Sequence, residues 1–209
     1  MQKTTVFFIL VNLFSLSAFA EKSAKEAYDL SCKACHGENG AGGKEFGQAP
    51  NLTLLKEEYV RAQFKVIRSG KRKGPGTVNM LKVLKESKLS EKELQAALNY
   101  AIKLPKVKSN HMKIGDKLKG KQKYTVCGTC HGPKGEGYFN PGIPAPKIVG
   151  QADFYIFDML KSFKVGHRGM DTPGGFQMRA MANAVLSSED DMKNVAAYIR
   201  SLEAEVDKK

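Results

Sequence analysis

The chain has 209 residues, a length that fits two small domains, and its 34 Lys and Arg residues outnumber its 21 Asp and Glu residues, which gives a formal net charge of +13 at pH 7. After residue 20 no apolar run is long enough to cross a bilayer, which takes about 20 residues. The basic runs also lack clusters of aromatic residues that would stack on bases, which argues against a nucleic-acid-binding protein.

The first 20 residues are typical of an export signal. Lys3 precedes an apolar run from Val6 to about Leu16, and the segment ends in Ala-Phe-Ala, the small-x-small pattern that signal peptidase cuts. We therefore expect residues 1–20 to be removed near Ala20, and we expect the mature protein to be soluble and located in the periplasm. An uncleaved N-terminal anchor is the alternative interpretation of the same run.

All four cysteines lie in two copies of Cys-x-x-Cys-His-Gly, at residues 32–37 and 127–132. A Cys-x-x-Cys disulfide closes too small a loop to staple a domain, and the gap between the pairs far exceeds the about 15–20 residues of a zinc ribbon. Neither pair has the strand–helix–strand setting of a thioredoxin-type site. Haem attachment remains, because two thiols can form thioethers with the porphyrin while the next histidine coordinates iron.

The sequence therefore predicts two covalently bound haem c groups. The thioether residues would be Cys32, Cys35, Cys127 and Cys130, and the first axial ligands would be His36 and His131.

The two halves of the chain repeat along their length, as expected of a duplicated domain. "YVRAQFKVIRSGKR" from Tyr59 matches "YIFDMLKSFKVGHR" from Tyr155, and "PGTVNM", which ends at Met80, matches "PGGFQM", which ends at Met178. We predict a signal peptide at 1–20, a first domain at 21–106, a linker at 107–116 and a second domain at 117–209.

The repeat also selects the second axial ligand of each iron. Met80 is the only methionine between Cys35 and the predicted linker, and its counterpart is Met178. Both follow a Pro-Gly-x-x-x segment, which we expect to be an extended turn that holds the thioether against a haem. Met181 is the alternative to Met178, and Met170 is a further candidate, although either methionine could equally be a filler of the core.

Each half is predicted to be a small helical module. A first helix, at 24–31 and again at 112–125, leads to the haem-attachment motif. The last helix of the first half begins at Ser90, and Glu93 completes a capping box. The last helix of each half is predicted to have one buried face. In the first half this face contains Leu94, Leu98, Tyr100 or Ala101, and Leu104, and in the second half it contains Met192, Val195, Ala196, Ile199 and Leu202.

On these motifs the whole mature chain resembles a class I cytochrome c duplicated in tandem, and it is most similar to periplasmic two-haem cytochromes of the cytochrome c4 type. The resemblance implies an all-α fold of two tandem class I cytochrome c domains, each a few helices around a haem. It implies that His36 with Met80, and His131 with Met178, ligate the two irons. It also implies that carbonyl groups at Pro50 and Pro146 accept the Nδ1 hydrogen bonds of the two histidines.

The resemblance further implies a function, the carriage of single electrons from a quinol-oxidising complex to a terminal oxidase or reductase. Such a protein is an electron-transfer protein and not an enzyme. Because His and Met together occupy both faces of the iron, no small-molecule substrate is expected.

Two alternatives remain open. The chain could be the haem subunit of a larger oxidoreductase, for example a sulfide-oxidising flavoprotein, or a two-haem enzyme with one unequal haem. The second case would arise if His167 replaced Met178; otherwise we expect His111 and His167 to be exposed and without function. A thiosulfate dehydrogenase is disfavoured because its unequal haem uses an axial cysteine, and this chain has no cysteine outside its two motifs.

The basic charge departs from relatives of this type, which are often acidic or neutral, so the resemblance does not identify the partner. The densest runs of Lys and Arg are at 68–74 and 104–123. A positive rim around a haem edge would attract the acidic docking surface of a redox partner, at rates that fall with salt. An anionic membrane surface would be attracted in the same way, and a basic face that is merely solvated is the remaining interpretation.

Overall fold

The computed structural model of the protein describes residues 21–43, 49–140, 143–170 and 172–206. The predicted signal peptide lies outside these ranges. Within them the regular structure is nine α-helices, one 3₁₀ turn and a pair of two-residue strands, so the predicted all-α fold class is confirmed. No helix in the described ranges combines the length and the apolar character needed to span a membrane.

The helices of the first half are α1 (Ala24–Ser31), α2 (Lys33–His36), α3 (Glu57–Arg68), α4 (Pro75–Glu86) and α5 (Glu91–Ile102), with the 3₁₀ turn Leu52–Leu54 before α3. Helix α1 has the predicted bounds, and it starts behind a capping box formed by Ser23 and Glu26. The predicted capping box of Ser90 and Glu93 at the start of α5 is confirmed. Local capping chemistry thus fixes where these two helices begin.

The helices of the second half are α6 (Lys117–His131), α7 (Asp153–Lys164), α8 (Pro173–Val185) and α9 (Glu189–Val206), and the antiparallel strands are β1 (Phe139–Asn140) and β2 (Ile143–Pro144). In the internal repeat, α7 corresponds to α3, α8 to α4 and α9 to α5. Helix α6 repeats α1 and α2 together, because it continues through the second Cys-x-x-Cys-His motif without the break at Cys32.

The prediction of a helix at 112–125 was wrong at both ends, because α6 starts later and ends later. Asp116 is the N-cap, and its carboxylate accepts hydrogen bonds from two backbone N–H groups of the first turn. Lys113 and Gly115 have φ angles of +57° and +70°, which lie in the left-handed region and do not continue a right-handed helix. The residues before Asp116 therefore form an irregular approach to α6.

The expected extended turns before Met80 and Met178 were also wrong. Pro75 and Pro173 are the first residues of α4 and α8, where a missing N–H and a fixed φ favour helix. Both methionines therefore project from helices.

A pair of tyrosines supports the haem-attachment motif in each half. The rings of Tyr28 and Tyr100 lie 5.2 Å apart, and the matching rings of Tyr124 and Tyr198 lie 5.0 Å apart. The hydroxyl groups of Tyr28 and Tyr124 each donate a 2.7 Å hydrogen bond to the carbonyl of the glycine that ends the motif. The last helix of each half thereby supports the segment that carries the axial histidine.

The predicted buried face of α9 is confirmed, since its five residues are at most 5% exposed. On α5, Leu94, Leu98 and Ala101 are buried and Tyr100 is half-buried, whereas Leu104, also half-buried, lies beyond the end of this helix. Helix α9 also lies close to α6, because a side chain at Gly120 would overlap the carbonyl oxygen of Asn194.

Residues 105–116, which join the two halves, contain neither helix nor strand. Their last part is held by the fully buried carboxylate of Asp153, which accepts hydrogen bonds from the N–H groups of Met112 (2.9 Å) and Ile114 (3.1 Å). Arg200 donates to the same carboxylate at 2.5 Å. Burial alone would raise the pKa of Asp153, but these hydrogen bonds outweigh it and hold the pKa below its usual value.

We expect Asp153→Asn to lower the free energy of unfolding by about 2–4 kcal/mol, because it leaves the Arg200 guanidinium without a charged acceptor. Since the folded-state pKa is lowered, ionised Asp153 stabilises the fold above the ordinary aspartate pKa, and this stabilisation is lost as the pH falls through the folded-state pKa. Urea unfolding of the haem-loaded protein at pH 7 and at a series of acidic values measures both effects. Asp190→Asn, at an exposed carboxylate, is the control, and equal stability of the two variants would contradict the assignment.

Candidate haem-binding sites

A cavity of about 300 Å³ lies in the first half, and α7 of the second half contributes part of its wall. Its wall includes Cys32, Cys35, His36 and Met80, and most of the remaining wall in the first half is apolar. The structure therefore brings the predicted attachment residues and both predicted ligands of the first half to one cavity.

The two histidines that are predicted to be axial ligands are buried and oriented in the same way. His36 and His131 are each 8% exposed. The Nδ1 atom of His36 lies 3.2 Å from the carbonyl oxygen of Pro50, and that of His131 lies 2.9 Å from the carbonyl oxygen of Pro146. Because a carbonyl can only accept, Nδ1 carries the proton and Nε2 is left to ligate a metal. The two expected hydrogen bonds are thus present.

Burial also lowers the pKa of both imidazoles, although the hydrogen bond to each proline carbonyl opposes the shift. The neutral form that burial favours is the form that binds a metal. The electrostatics of both sites therefore fit a metal-ligating histidine.

One glycine in each half lets the proline loop approach the histidine. Gly42 and Gly137 have φ angles of +81° and +74°, and their N–H groups donate to the carbonyl of the axial histidine at 3.0 and 2.8 Å. A side chain on either glycine would overlap the backbone next to the proline. The sequence analysis did not identify this pair, although a glycine at the same distance from the histidine of both motifs could have indicated it.

In the second half, Cys127 and Met178 pack against one apolar core, to which α6, α7, α8 and α9 contribute. Met178 is half-buried, whereas Met181 is 36% exposed and Met170 is 49% exposed. Met80 packs against the core of the first half in the same way as Met178 packs against its own. Burial thus favours Met178 over the two alternatives.

The thiols do not have the electrostatics of a redox-active pair. Burial raises the pKa of Cys32, and it raises the pKa of Cys127 to about 11. A nucleophilic or redox-active Cys-x-x-Cys thiol has instead a lowered pKa, usually next to a cation or a helix N-terminus. The burial of Cys32 and Cys127 therefore argues against thiol redox chemistry at these two motifs.

Two arginines at corresponding positions of the repeat meet between the halves. Arg72 and Arg168 both donate to Gln63 Oε1, at 3.0 and 3.1 Å, and both contact the sulfur of Met159, while Arg168 also donates to the hydroxyl of Tyr59. Among the described residues neither guanidinium forms an ion pair with a carboxylate. Burial, and next the charge of Arg168, lower the pKa of Arg72.

Two neighbouring cations that are largely out of water are unfavourable without an anion. Arg72 lines the first cavity together with Tyr59, Gln63 and Met159. An apolar cavity with two thiols, an imidazole, a thioether and a cation at its wall fits a haem, which is an apolar macrocycle with carboxylate groups.

The two remaining histidines behave differently. His111 is only 17% exposed in its side chain, and its Nδ1 lies 4.0 Å from a carboxylate oxygen of Asp153, so the expectation of full exposure was wrong for it. The linker turns His111 towards the same buried carboxylate that holds Met112. His167 is exposed as expected, and its carbonyl accepts a 2.7 Å hydrogen bond from the N–H of Lys73 in the other half.

Residues 21–103 and 118–203 match the family model described as Cytochrome c. A thiosulfate dehydrogenase electron acceptor from Thiomonas intermedia (strain K12) is 32% identical over 155 residues, which cover 69% of this chain and 67% of that relative. Cytochrome c4 from Stutzerimonas stutzeri is 32% identical over 100 residues, which cover 44% of this chain and 43% of that relative. The match therefore spans less than half of the second relative's length.

Two solved structures are similar in fold. Cytochrome c4 from Acidithiobacillus ferrooxidans has a TM-score of 0.63 at 26% identity, and the match covers 82% of this chain and 98% of that one. Thiosulfate dehydrogenase (TsdBA) from Marichromatium purpuratum has a TM-score of 0.65 at 23% identity, and the match covers 84% of this chain but 39% of that one. The second likeness is one of fold alone.

We expect the double variant Cys127→Ala/Cys130→Ala to keep one covalently bound haem per chain, because the first site retains both of its thiols. The double variant Cys32→Ala/Cys35→Ala is the matched test of the other site. Intact mass after denaturation, together with the haem-to-protein absorbance ratio, counts the attached groups. Two attached haems in either variant would show that the cysteines are assigned wrongly.

Proposed function

Because the chain belongs to the cytochrome c family and binds two covalently attached haem c groups, we propose that it is a periplasmic carrier of single electrons between protein partners. The observation that best supports this function is the repeated site, in which a Cys-x-x-Cys-His segment, a proline carbonyl and a methionine on a helix recur. When bound, the haems supply reversible one-electron chemistry at iron. We assign one haem to each of the domains 21–106 and 117–209, which the linker 107–116 joins.

The proposed ligands are His36 with Met80 and His131 with Met178. Each histidine has its ring fixed by a proline carbonyl, and each methionine packs against the core of its own half. Two such ligands leave no position at the metal for a substrate, and rigid ligands keep their places when the charge of the site changes. This arrangement supports electron carriage over catalysis.

We propose a quinol-oxidising complex as donor and a terminal oxidase or reductase as acceptor, the role that resemblance to the cytochrome c4 type implies. A second candidate role is that of an electron acceptor for a separate sulfur-oxidising enzyme. The relative from Thiomonas intermedia, which is named an electron acceptor of thiosulfate dehydrogenase, supports this candidate because the match covers two thirds of both chains. This chain has no cysteine outside its two motifs to act as an axial ligand, which argues against its being the catalytic subunit of a thiosulfate dehydrogenase.

The basic surface supports an acidic docking partner. Lys71 and Lys73 are exposed in the loop before α4, and Lys73 is also part of the wall of the first cavity. Arg68 in the same run is partly neutralised by Glu91 on α5, at 2.6 Å. Among the described residues Lys71 and Lys73 form no ion pair, so positive charge lies at the rim of the first site, where it would attract acidic groups of a partner.

We expect Met80→Ala to remove about half of the weak far-red absorption that Met-ligated ferric haem gives, and we expect Met178→Ala to remove the other half. The physical reason is that each substitution deletes the sulfur ligand of one iron and leaves the other site intact. Optical spectra of the oxidised protein measure the band. Met181→Ala is the matched control, and loss of the band in that variant would reassign the second ligand.

We expect the rate of electron transfer to an acidic redox protein to fall as the salt concentration rises, since screening acts over about 8 Å at physiological ionic strength. The variant Lys71→Gln/Lys73→Gln should be slower at low salt and less dependent on salt. Stopped-flow absorbance measures both rates. Lys92→Gln removes one charge at an exposed lysine that is not part of the cavity wall, and an effect half as large as that of the double variant would show that only net charge matters.

A further inference from the structure

A buried glutamine of the second half pairs with the backbone of the first half. Gln151 lies just before α7 and is 2% exposed, and Asn51 is fully buried. The Oε1 atom of Gln151 accepts a hydrogen bond from the N–H of Asn51 at 3.0 Å, and its Nε2 donates to the carbonyl of Asn51 at 2.7 Å. One side chain thus satisfies both backbone groups of a residue in the other domain.

The paired N–H belongs to the peptide group that also orients the axial histidine. That peptide joins Pro50 to Asn51, and its carbonyl oxygen accepts the hydrogen bond from Nδ1 of His36 at 3.2 Å. Two hydrogen bonds therefore run in series through one amide, from the imidazole N–H to the Pro50 carbonyl and from the Asn51 N–H to Gln151. Hydrogen bonds in such a chain polarise one another, because an amide whose N–H donates has a more negative carbonyl oxygen.

The site around His131 has the hydrogen bond from the imidazole to a proline carbonyl, but within the described part of the chain it lacks the hydrogen bond from the amide N–H that follows. His131 donates to the Pro146 carbonyl at 2.9 Å, and the amide N–H of that peptide belongs to Lys147, which replaces Asn51 in the repeat. Among the described residues this N–H makes no hydrogen bond. The serial arrangement is therefore present on one side of the molecule alone.

We propose that Gln151 is a positioning residue that sets the reduction potential of the first haem from the opposite domain. The inference rests on the proposed ligation of that haem by His36. By drawing the Asn51 N–H towards its Oε1, Gln151 strengthens the acceptor at Pro50 and makes the imidazole a stronger donor of electron density to iron. A more basic ligand favours the oxidised state, so Gln151 lowers the potential of the first haem and leaves that of the second unchanged.

Gln151→Met tests this directly, since methionine has a similar length but its sulfur is a much weaker hydrogen-bond acceptor than the amide oxygen that it replaces. We expect the equilibrium constant for reduction of the first haem to rise by about two- to tenfold, the range given by a 10–30% change in one hydrogen bond. The second haem should not change. An optically monitored redox titration that resolves both haems is the first measurement, and the NMR position of the His36 Nδ1 proton in the reduced protein is the second.

Gln151→Glu separates the electronic effect from a loss of packing. Glutamate keeps an acceptor oxygen for Asn51 and loses the Nε2 donor, so the first haem should have a potential equal to or below the native one, opposite to the methionine variant. Ser109→Ala is the matched control for the domain contact, because Ser109 bonds Gly150 O at 2.5 Å and the Asn51 side chain at 3.0 Å without touching the Pro50–Asn51 peptide.

Three results would each overturn the proposal. The first is an equal shift in the reduction potentials of both haems, and the second is a shift of the same sign in the Gln151→Met and Gln151→Glu variants. The third is a shift in the Ser109→Ala variant as large as that in Gln151→Met. Failure of the proposed ligation is recognised separately, since the unsubstituted protein would then lack the far-red band of methionine ligation. If only the Gln151 proposal fails, the far-red band is present, and the Gln151→Met and Gln151→Glu variants do not shift the potential of the first haem in opposite directions.

Discussion

The structure depends on the way that His36 and His131, the proposed axial ligands, are held. The imidazole sits at the end of a helix, its Nδ1 proton is directed at a proline carbonyl, and a glycine with positive φ lets the proline loop come close. A tyrosine hydroxyl from the same helical unit bonds the glycine that follows the histidine. These contacts recur in both halves, so the chain builds one rigid ligand position twice.

The second constraint is the burial of charge between the halves. Arg72 and Arg168 converge on Gln63, and the described residues supply no carboxylate to neutralise them. Two cations so close together repel each other when they are out of water, and the carboxylate groups of a haem in the first cavity, which Arg72 lines, would compensate their charge.

Much of this architecture could be predicted from the sequence because it rests on local signals. The attachment motifs, the capping box at Ser90 and the buried face of α9 follow from residue types at fixed spacing. The start of α6 could not be predicted, because the left-handed turn at Lys113 and Gly115 depends on the tether to Asp153. The contact of Gln151 with Asn51 joins residues 100 positions apart and has no counterpart in the repeat, so no pattern in one half indicates it.

Duplication alone would produce two equal sites, and an electron would then have no preferred place in the molecule. Inequality is usually sought in the ligands, yet here the predicted ligand sets are the same. Three residues of the domain contact break the repeat: Asn51 corresponds to Lys147, Gln63 to Met159, and Gln151 to Leu55. Each copy faces the other across this contact, so a substitution in one copy alters the surroundings of the other. If Gln151 acts as proposed, packing two like domains against each other makes their haems different without any change of ligand.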